Sequence, residues 1–363
     1  MIKLLVVDDS ALMRRLLVEI FTAAGDFDVE IARNGTEALE KLVDFAPDVV
    51  TLDIHMPDMD GLACLDQIML IRPCPVVMVS SLTAEGADET LEAMALGAVD
   101  FIAKPRGAVS LEIDAVAPEL VEKVRQASAA RISRAARLRE RMRARASGAG
   151  IRKAPARARP TKRLAPPQGA LAGDGLVLVG CSTGGPPALD ALLGKLASDF
   201  PWPIVVAQHM PASFTGPLAR RLDRLCALEV SEVVKTTPLL PGHAYIGRGD
   251  ADLLITRRGG ALCATAAPSD PALFWHPSVD RLVASAMELA APESLVGVLM
   301  TGMGADGARA MTELKAAGGC TIAESADTAI VWGMPGALVA ADGASIVAPL
   351  DRIAAELTAL FAR

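Results

Sequence analysis

The stretch Val177-Leu178-Val179-Gly180-Cys181-Ser182-Thr183-Gly184-Gly185 predicts a strand, a tight turn and the start of a helix. Its apolar run is typical of a buried strand and ends at a glycine, and Ser182 follows in a Gly-x-Ser-x-Gly frame. The apolar positions beyond it, after Pro186-Pro187, have helical spacing. A serine on such a turn lies above a sheet edge, where a nucleophile or an anion-binding hydroxyl is expected. The alternative is a glycine-rich turn whose serine only caps the helix.

The composition narrows the class of protein. A chain of 363 residues predicts two or three domains, and a hydrophobic content of 52% is enough for large cores. No apolar run reaches membrane-spanning length and no signal peptide precedes the first strand, so we expect a cytoplasmic protein without membrane insertion. The six cysteines are scattered without a C-x-x-C pair, which favours reduced thiols over a disulfide framework.

The charge is unevenly distributed along the chain. The net charge is −7, yet residues 126–173 contain eleven Arg and two Lys against one acid. From Ser147 this region is rich in Gly, Pro, Ala and Arg, a linker composition. It lacks aromatic residues for base stacking and any groove-reading motif, so we expect a solvated tether and no nucleic-acid partner. Binding to nucleic acid or acidic lipid is the alternative. The predicted division is 1–125, 126–173 and 174–363.

Residues 1–125 alternate between strand and helix patterns. Apolar strands are predicted near residues 4–7, 28–32, 49–52, 76–79 and 99–102. Helices are predicted at about 11–24, 35–45, 60–71 and 85–96, with a last helix from about 108 that continues past 125. Five strands with intervening helices predict a doubly wound parallel sheet of the flavodoxin-like (βα)5 type.

The ends of these strands carry reactive side chains. Ligands of such sheets bind outside the carboxyl ends of the strands, and the residues there are Asp8, Asp9, Asp53, Ser80 and Lys104. Clustered carboxylates need a cation, and oxygen ligands of this kind favour Mg²⁺. A lysine and a small hydroxyl suit an incoming phosphoryl group. A single aspartate after a strand would be interpreted as a helix cap, but capping does not account for five matching residues at four strand ends.

This first region resembles the receiver domain of a response regulator. The resemblance covers residues 1–125 and implies that Asp53 accepts a phosphoryl group from a histidine kinase. It also implies that Asp8 and Asp9, with Asp53, hold Mg²⁺. The implied switch residues are Ser80, Phe101 and Lys104, and Met56-Pro57 and Gly61 also match the pattern.

The second region carries a possible catalytic set at three predicted strand ends. Its strands and helices predict a doubly wound, mainly parallel α/β domain with an added hairpin. Ser182, His209 and Asp306 fit the roles of a nucleophile, a base that takes its proton and a carboxylate that orients the base. The glycines around Met303 let backbone N–H groups approach an oxyanion closely.

Each of these residues also has a simpler interpretation. A lone histidine at position 209 is more often a hydrogen-bonded structural residue, and Asp306 before a glycine is more often a turn residue. His243 and His276 are rival bases. Cys181 is a rival nucleophile, although its position before the turn favours a side chain that points into the core.

Residues 176–347 resemble the catalytic domain of the chemotaxis-type protein-glutamate methylesterases. The matching segments are residues 180–185, 208–211 with 214–215, 241–245, 277–280, 300–307 and 333–336. The resemblance implies the roles of Ser182, His209 and Asp306 given above, an oxyanion-hole N–H at Met303 and a place beside the site for Thr183. This chain departs from the family at Trp275-His276, where His-Arg is usual, and in its longer, more arginine-rich tether.

The sequence therefore predicts a phosphorylation-activated serine hydrolase. It would demethylate glutamate methyl esters on chemoreceptors through an acyl-enzyme and need no cofactor for the esterase reaction, and the resemblance implies that it also deamidates receptor glutamines at the same site. We expect a monomer, although no motif addresses the oligomeric state. The alternative is a response regulator whose second domain binds receptors when phosphorylated, without turnover.

Overall fold

The computed structural model describes residues 1–80, 83–104, 109–130, 162–163 and 175–361. The part of the last predicted helix that would continue beyond residue 130 and most of the predicted tether lie outside these residues. No helix in the described ranges is both long enough and apolar enough to cross a lipid bilayer.

The N-terminal sheet has five parallel strands in the order β2-β1-β3-β4-β5. The strands are β1 (Ile2–Val7), β2 (Phe27–Ala32), β3 (Val49–Asp53), β4 (Val76–Ser80) and β5 (Asp100–Ala103). The helices are α1 (Ala11–Ala24), α2 (Gly35–Asp44), α3 (Gly61–Ile71), α4 (Ala84–Leu96) and α5 (Val109–Ser128). This strand order is that of flavodoxin-like folds, so the fold predicted for this region is confirmed.

Local sequence signals explain where these helices begin. Ser10, Asn34, Asp60 and Thr83 precede α1 to α4, and each side chain accepts a hydrogen bond from a backbone N–H in the first turn. The central strands β3 and β4 are buried along their whole length because helices cover both faces of the sheet. Because all five strands run parallel, their carboxyl ends lie at the same edge of the sheet. That edge holds the predicted phosphorylation site.

The C-terminal region contains eleven described strands. They are β6 (Lys162–Arg163), β7 (Leu176–Cys181), β8 (Ile204–Gln208), β9 (Glu229–Val233), β10 (Thr237–Pro238), β11 (His243–Gly247), β12 (Ala251–Arg258), β13 (Ala261–Pro268), β14 (Leu295–Leu299), β15 (Cys320–Glu324) and β16 (Ile346–Ala348). The larger sheet has the order β6-β16-β15-β14-β7-β8-β11-β9, and β10, β13 and β12 form a separate antiparallel sheet. The predicted hairpin is β12–β13.

The described helices of this region are α6 (Gly185–Leu193), α7 (Ala212–Leu225), α8 (Val279–Met287), α9 (Ala308–Ala316), α10 (Met334–Ala340) and α11 (Leu350–Ala359). The larger sheet is parallel except at β6, which pairs antiparallel with β16. The predicted tether thus contributes Lys162–Arg163 to the sheet edge. The mainly parallel α/β fold predicted here is confirmed.

The position of β7 in the larger sheet brings distant segments together. β7 lies between β14 and β8, with Gly180 opposite Leu299 and Cys181 opposite Gln208. The chain leaves β7 at Ser182, leaves β8 at His209 and leaves β14 toward Asp306. Three loops from neighbouring strands therefore meet at one sheet edge, where α/β sheets bind their ligands.

Candidate active site

The N-terminal sheet edge gathers an acidic cluster around one lysine. The Lys104 ammonium lies 3.1 Å from Asp8 Oδ2 and 2.7 Å from Asp53 Oδ2. The carboxylate oxygens of Asp8, Asp9 and Asp53 lie within 4.8 Å of one another. Four of the predicted residues are therefore close together, with Asp8 and Asp53 buried and Asp9 exposed.

The donor set of this cluster fits a divalent cation. Burial raises the pKa of Asp53, Lys104 offsets part of that rise, and the neighbouring Asp8 charge adds to it. Oδ2 of Asp8 and Oδ2 of Asp53 are buried and share the single ammonium of Lys104. Three carboxylates against one ammonium leave excess negative charge, which Mg²⁺ would neutralise with the oxygen ligands it prefers.

The other two predicted switch residues make different contacts. The Ser80 hydroxyl is buried and donates to the Gly86 carbonyl at 3.1 Å. Phe101 is also buried, with its ring centroid 4.3 Å from that of Phe214 in α7 and the Lys123 ammonium 5.5 Å away. Phe101 therefore contacts the C-terminal region, and its ring contacts are with Phe214 and Lys123 and not with the acidic cluster.

At the C-terminal sheet edge, Asp306 is held by four donors. His209 Nε2 donates to Asp306 Oδ2 at 2.8 Å and the Ser278 hydroxyl donates to Oδ1 at 3.1 Å. The backbone N–H groups of Val279 and Asp280, in the first turn of α8, donate at 2.7 and 3.0 Å. Burial alone would raise the pKa of Asp306, but His209 and these N–H groups outweigh it and lower the pKa below its usual value.

His209 has its two ring nitrogens in different environments. Nε2 is bonded to Asp306, whereas Nδ1 is buried and has no hydrogen-bond partner among the described residues. The backbone N–H of His209 donates to the Cys181 carbonyl at 3.1 Å, which places the ring beside the start of the Ser182 turn. Nδ1 is therefore the nitrogen left to accept a proton, and it makes no hydrogen bond to Ser182 in this conformation.

The Ser182 turn is fixed from below by Thr301 and Gln208. The Ser182 N–H donates to the Thr301 carbonyl at 3.0 Å, and the Gln208 amide donates to the Ser182 carbonyl at 3.0 Å. A Cβ at Gly185 would lie 1.8 Å from Gln208 Oε1, so only glycine fits there. Gly184 has φ +76°, a value that also favours glycine. The glycines thus let the chain turn sharply over Gln208.

A buried acid supports the same turn. The Thr301 N–H donates to Glu324 Oε2 at 2.8 Å, and the Thr301 hydroxyl donates to the Thr183 carbonyl at 2.9 Å. Burial raises the pKa of Glu324 to about 7, although hydrogen bonds from Thr301 and Thr328 offset part of the rise. Sequence reasoning missed this arrangement, because no local signal marks Glu324.

Met303 lies in the loop between β14 and Asp306. Its side chain is buried, and in the described structure its backbone N–H is not taken up by any hydrogen bond. The adjacent Gly302 donates to the Val331 carbonyl at 3.0 Å, and a Cβ on it would lie 2.8 Å from the Ser182 Cβ. The loop therefore runs against the serine, with the Met303 N–H available to an oxyanion.

The rival residues have other partners. Cys181 is fully buried, its Sγ lies 3.0 Å from Gln208 Oε1, and burial raises the pKa of its thiol far above the usual value. His243 begins the parallel strand β11, so it lies at the opposite sheet edge, where it pairs with Glu229 at 3.0 Å. His276 Nδ1 pairs with Asp252 Oδ1 at 3.0 Å. These contacts favour Ser182 and His209 over all three rivals.

The N-terminal region packs directly against the Ser182 turn. The Thr183 hydroxyl donates to Asp100 Oδ2 at 2.5 Å, and the Gly184 N–H donates to the Val99 carbonyl at 3.1 Å. Ser182 is only 6% exposed and His209 only 7%. A bulky substrate therefore cannot reach the serine in this conformation.

A second contact lies further along the same interface. Arg221 of α7 donates to the Leu91 carbonyl of α4 at 3.0 Å, across the interface. Within its own region it also donates to Asp190 of α6 at 2.6 Å. None of these contacts between the two regions was predicted from the sequence, since the partners in each pair are far apart along the chain.

Comparison with known proteins identifies relatives of both regions. A family model described as CheB methylesterase matches residues 177–357, and one described as response regulator receiver domain matches residues 4–114. Protein-glutamate methylesterase/protein-glutamine glutaminase 2 of Rhodopseudomonas palustris (strain BisB18) is 54% identical over 357 residues, which cover 98% of this chain and 97% of the relative. Protein-glutamate methylesterase/protein-glutamine glutaminase 3 of Rhodospirillum rubrum is 52% identical and covers 100% of this chain and 97% of its own.

A solved structure gives the same result for the second region. The crystal structure of the Thermotoga maritima CheB methylesterase catalytic domain matches with a TM-score of 0.50 and 36% sequence identity. The match covers 52% of this chain and 100% of that one. Because both family models match and relatives of more than 50% identity span nearly the whole length, the chain belongs to the protein-glutamate methylesterase/protein-glutamine glutaminase family.

Proposed function

We propose that this protein is a receiver-regulated serine hydrolase that removes methyl esters from glutamate side chains of chemoreceptors. The observation that carries the proposal is the hydrogen bond of His209 Nε2 to Asp306, beside Ser182 at the same sheet edge. An aspartate with a lowered pKa stays ionised and stabilises the imidazolium that forms when His209 accepts a proton. The relatives are named for this activity, and their sequences align over nearly the whole chain.

The reaction follows from the roles of these groups. Ser182 Oγ attacks the ester carbonyl as its proton passes to Nδ1 of His209, and the Met303 N–H stabilises the oxyanion. The proton then moves to the methoxide oxygen, methanol leaves, and an acyl-enzyme remains. Water attacks the acyl carbonyl as His209 takes its proton, that proton then passes to Ser182 Oγ as the bond to Ser182 breaks, and a free glutamate is released. A glutamine side chain would react in the same way with ammonia as the leaving group.

The test of this proposal is methanol release from methylated receptors by the full-length protein. We expect Ser182→Ala to lose at least about a thousandfold in rate, because the acyl-enzyme can no longer form. Ser231→Ala is the matched control, since Ser231 is an exposed serine in β9 of the same sheet. Equal rates for Ser182→Ala and the wild type would reject the assignment. A second outcome would favour the alternative, a response regulator that binds receptors without turnover. In that case the protein would bind receptors, but Ser182 would not react with a fluorophosphonate probe.

We propose that phosphorylation of Asp53 by a histidine kinase uncovers this site. Strand β5 supports a route, because its first residue, Asp100, bonds Thr183 while Lys104, just beyond its end, pairs with Asp53. Between them Phe101 packs on Phe214 of α7. Bound Mg²⁺, held by Asp8, Asp9 and Asp53, would supply the positive charge that phosphoryl transfer needs. A phosphoryl group on Asp53 would attract Lys104 and so shift β5. The same short strand carries Asp100, whose bond to Thr183 holds the N-terminal region over Ser182.

A cytoplasmic location would place these partners within reach, since we expect both the kinase and the methylated segments of the receptors there.

A further inference from the structure

An aromatic pair lies over the catalytic histidine. Phe274 and Trp275 belong to the loop between β13 and α8, and Phe274 is 63% exposed whereas Trp275 is half-buried. The Trp275 indole is nearly parallel to the His209 imidazole, with an interplanar angle of 9° and ring centroids 5.7 Å apart. Phe274 meets the indole edge-on at 85°, with centroids 4.7 Å apart.

The loop that carries Trp275 is fixed by a buried carboxylate. Asp252 is fully buried and accepts hydrogen bonds from the Asp270 N–H at 3.1 Å and from the Ser278 N–H at 2.9 Å. It also pairs with His276, the residue next to Trp275, and with Arg281. The backbone is therefore tied on both sides of the indole, and Ser278 in turn bonds Asp306.

The indole also reaches the loop expected to bind the oxyanion. Its Nε1 would lie 4.0 Å from a Cβ built on Gly304, and no other heavy atom of the described residues, chain neighbours apart, comes within that distance. Gly304 has φ +71°, so the backbone there is suited to glycine and leaves room beside the indole. Trp275 thus lies between His209 and the Gly302–Gly304 loop, next to the space where the ester must react.

We propose that Trp275 is a positioning residue of the esterase reaction, which holds the His209 ring in place and stabilises its protonated form. The inference rests on the proposed function. A cation within about 6 Å of an aromatic centroid is attracted to the ring face, most strongly for tryptophan. The neutral imidazole gains less from the same contact, so the indole favours the state in which His209 carries the Ser182 proton.

Several other ionisable groups surround His209, and they must stay unchanged in the test. Asp306 bonds Nε2 directly, and Asp280, which pairs with Arg309, lies behind Asp306. Beyond the indole lie Asp252, His276 and Arg281. Below the serine turn lie Cys181 and Glu324, and Asp100 bonds Thr183 from the receiver side. Substitution of Trp275 alone leaves all of these in place.

The kinetic test compares Trp275→Ala, Trp275→Phe and Phe274→Ala in the full-length protein with a phosphodonor present. We expect Trp275→Ala to lower kcat for methanol release about tenfold with little change in KM, since one cation–π contact is worth up to roughly that factor. The acid limb of its kcat/KM profile should move to lower pH. Trp275→Phe should restore most of both effects, and Phe274→Ala should cost less than about threefold, because the ring contact of Phe274 is with the indole and a His209 ring contact is made by Trp275.

A spectroscopic test detects the contact itself. A protonated imidazole quenches the fluorescence of a stacked indole, so acidification should quench part of the wild-type emission. That part should be missing in Trp275→Phe and in His209→Gln, whereas emission from Trp202 and Trp332 remains.

Three results would overturn the proposal: an unchanged kcat in Trp275→Ala, a lowered kcat with an unmoved pH profile, or an equal loss in Phe274→Ala. Persistence of the quenching in His209→Gln would do the same. Failure of the proposed function is distinguishable, because the wild type itself would then release no methanol.

Discussion

The two sheet edges of this molecule hold similar residues in opposite electrostatic states. Asp53 and Asp306 both follow parallel strands and both are largely buried, yet the pKa of Asp53 is raised and that of Asp306 is lowered. Asp306 receives four donors, one of them His209 and two of them N–H groups at a helix N-terminus. Asp53 has Lys104 and one long backbone bond from His55 at 3.3 Å, and it faces Asp8.

This difference separates two kinds of site. Asp306 is neutralised by the protein itself, so it needs no further partner to stay ionised and orient His209. Asp53 lies in a cluster with excess negative charge, which an external cation and a phosphoryl group would complete. The carboxyl edge of a parallel sheet thus holds the proposed catalytic residues, already neutralised, in one region and a site open to a cation in the other.

The largest expected effect is that of removing the charge of Asp306, the carboxylate that the protein itself neutralises. Asp306→Asn keeps the shape but removes the charge that stabilises the imidazolium, so methanol release should fall by about 10³- to 10⁴-fold. Circular dichroism should show a folded protein. The matched control is Asp327→Asn, an exposed carboxylate of the same region, which should leave the rate unchanged. A loss of less than about tenfold would mean that Asp306 does not orient the base.

The next prediction uses a third carboxyl group at a strand end. Glu324 ends β15, and burial raises its pKa to about 7 from an ordinary value of 4.5. Between these pH values the folded state keeps its proton while the unfolded chain loses it, so stability falls as pH rises and stays reduced above pH 7. The whole loss is about 3 kcal/mol, from 1.36 kcal/mol for each pKa unit.

Glu324→Gln should remove this pH dependence. Urea unfolding at pH 8 should show a variant more stable than the wild type by up to about 3 kcal/mol, with nearly equal stabilities at pH 4.5. Glu293→Gln, at an exposed glutamate, should change neither value. An equal stability difference at both pH values would contradict the burial account.

The smallest expected effect concerns the contact between the two regions. In Asp100→Asn a neutral amide replaces the carboxylate that accepts the hydrogen bond from the Thr183 hydroxyl. We expect this change to weaken the contact between the two regions by about 1 kcal/mol. We expect methanol release without a phosphodonor to rise about fivefold, and the fully activated rate to stay the same. Asp44→Asn, at an exposed site in α2, is the control. An unchanged basal rate would mean that this bond does not hold the regions together.

Much of the fold and of both sites followed from local sequence patterns. Asp8, Asp53 and Lys104 each come directly after an apolar strand, and parallel strands end at one edge, so their meeting could be predicted. The Ser182 turn was marked by its glycines in the same way. The sequence patterns did not single out β15, and Glu324 was missed with it.

Long-range contacts were the part that the sequence did not reveal. The bond from Thr183 to Asp100 depends on how two separately folded sheets pack, and no periodicity encodes that. The stack of Trp275 on His209 depends on a loop tied down by Asp252, which lies in a different strand. The Ser278 hydroxyl bond to Asp306 was likewise hidden, although its segment was recognised as part of the family pattern.

The measurement that tests the central claim most directly is methanol release from methylated receptors with and without a phosphodonor. Wild type and Asp53→Asn should be compared in the presence of Mg²⁺. We predict a slow basal rate for both proteins, because Ser182 is only 6% exposed, and a rise of at least about tenfold on phosphodonor addition in the wild type alone. An equal rise in Asp53→Asn, or a wild-type rate that does not respond, would contradict a receiver that covers Ser182.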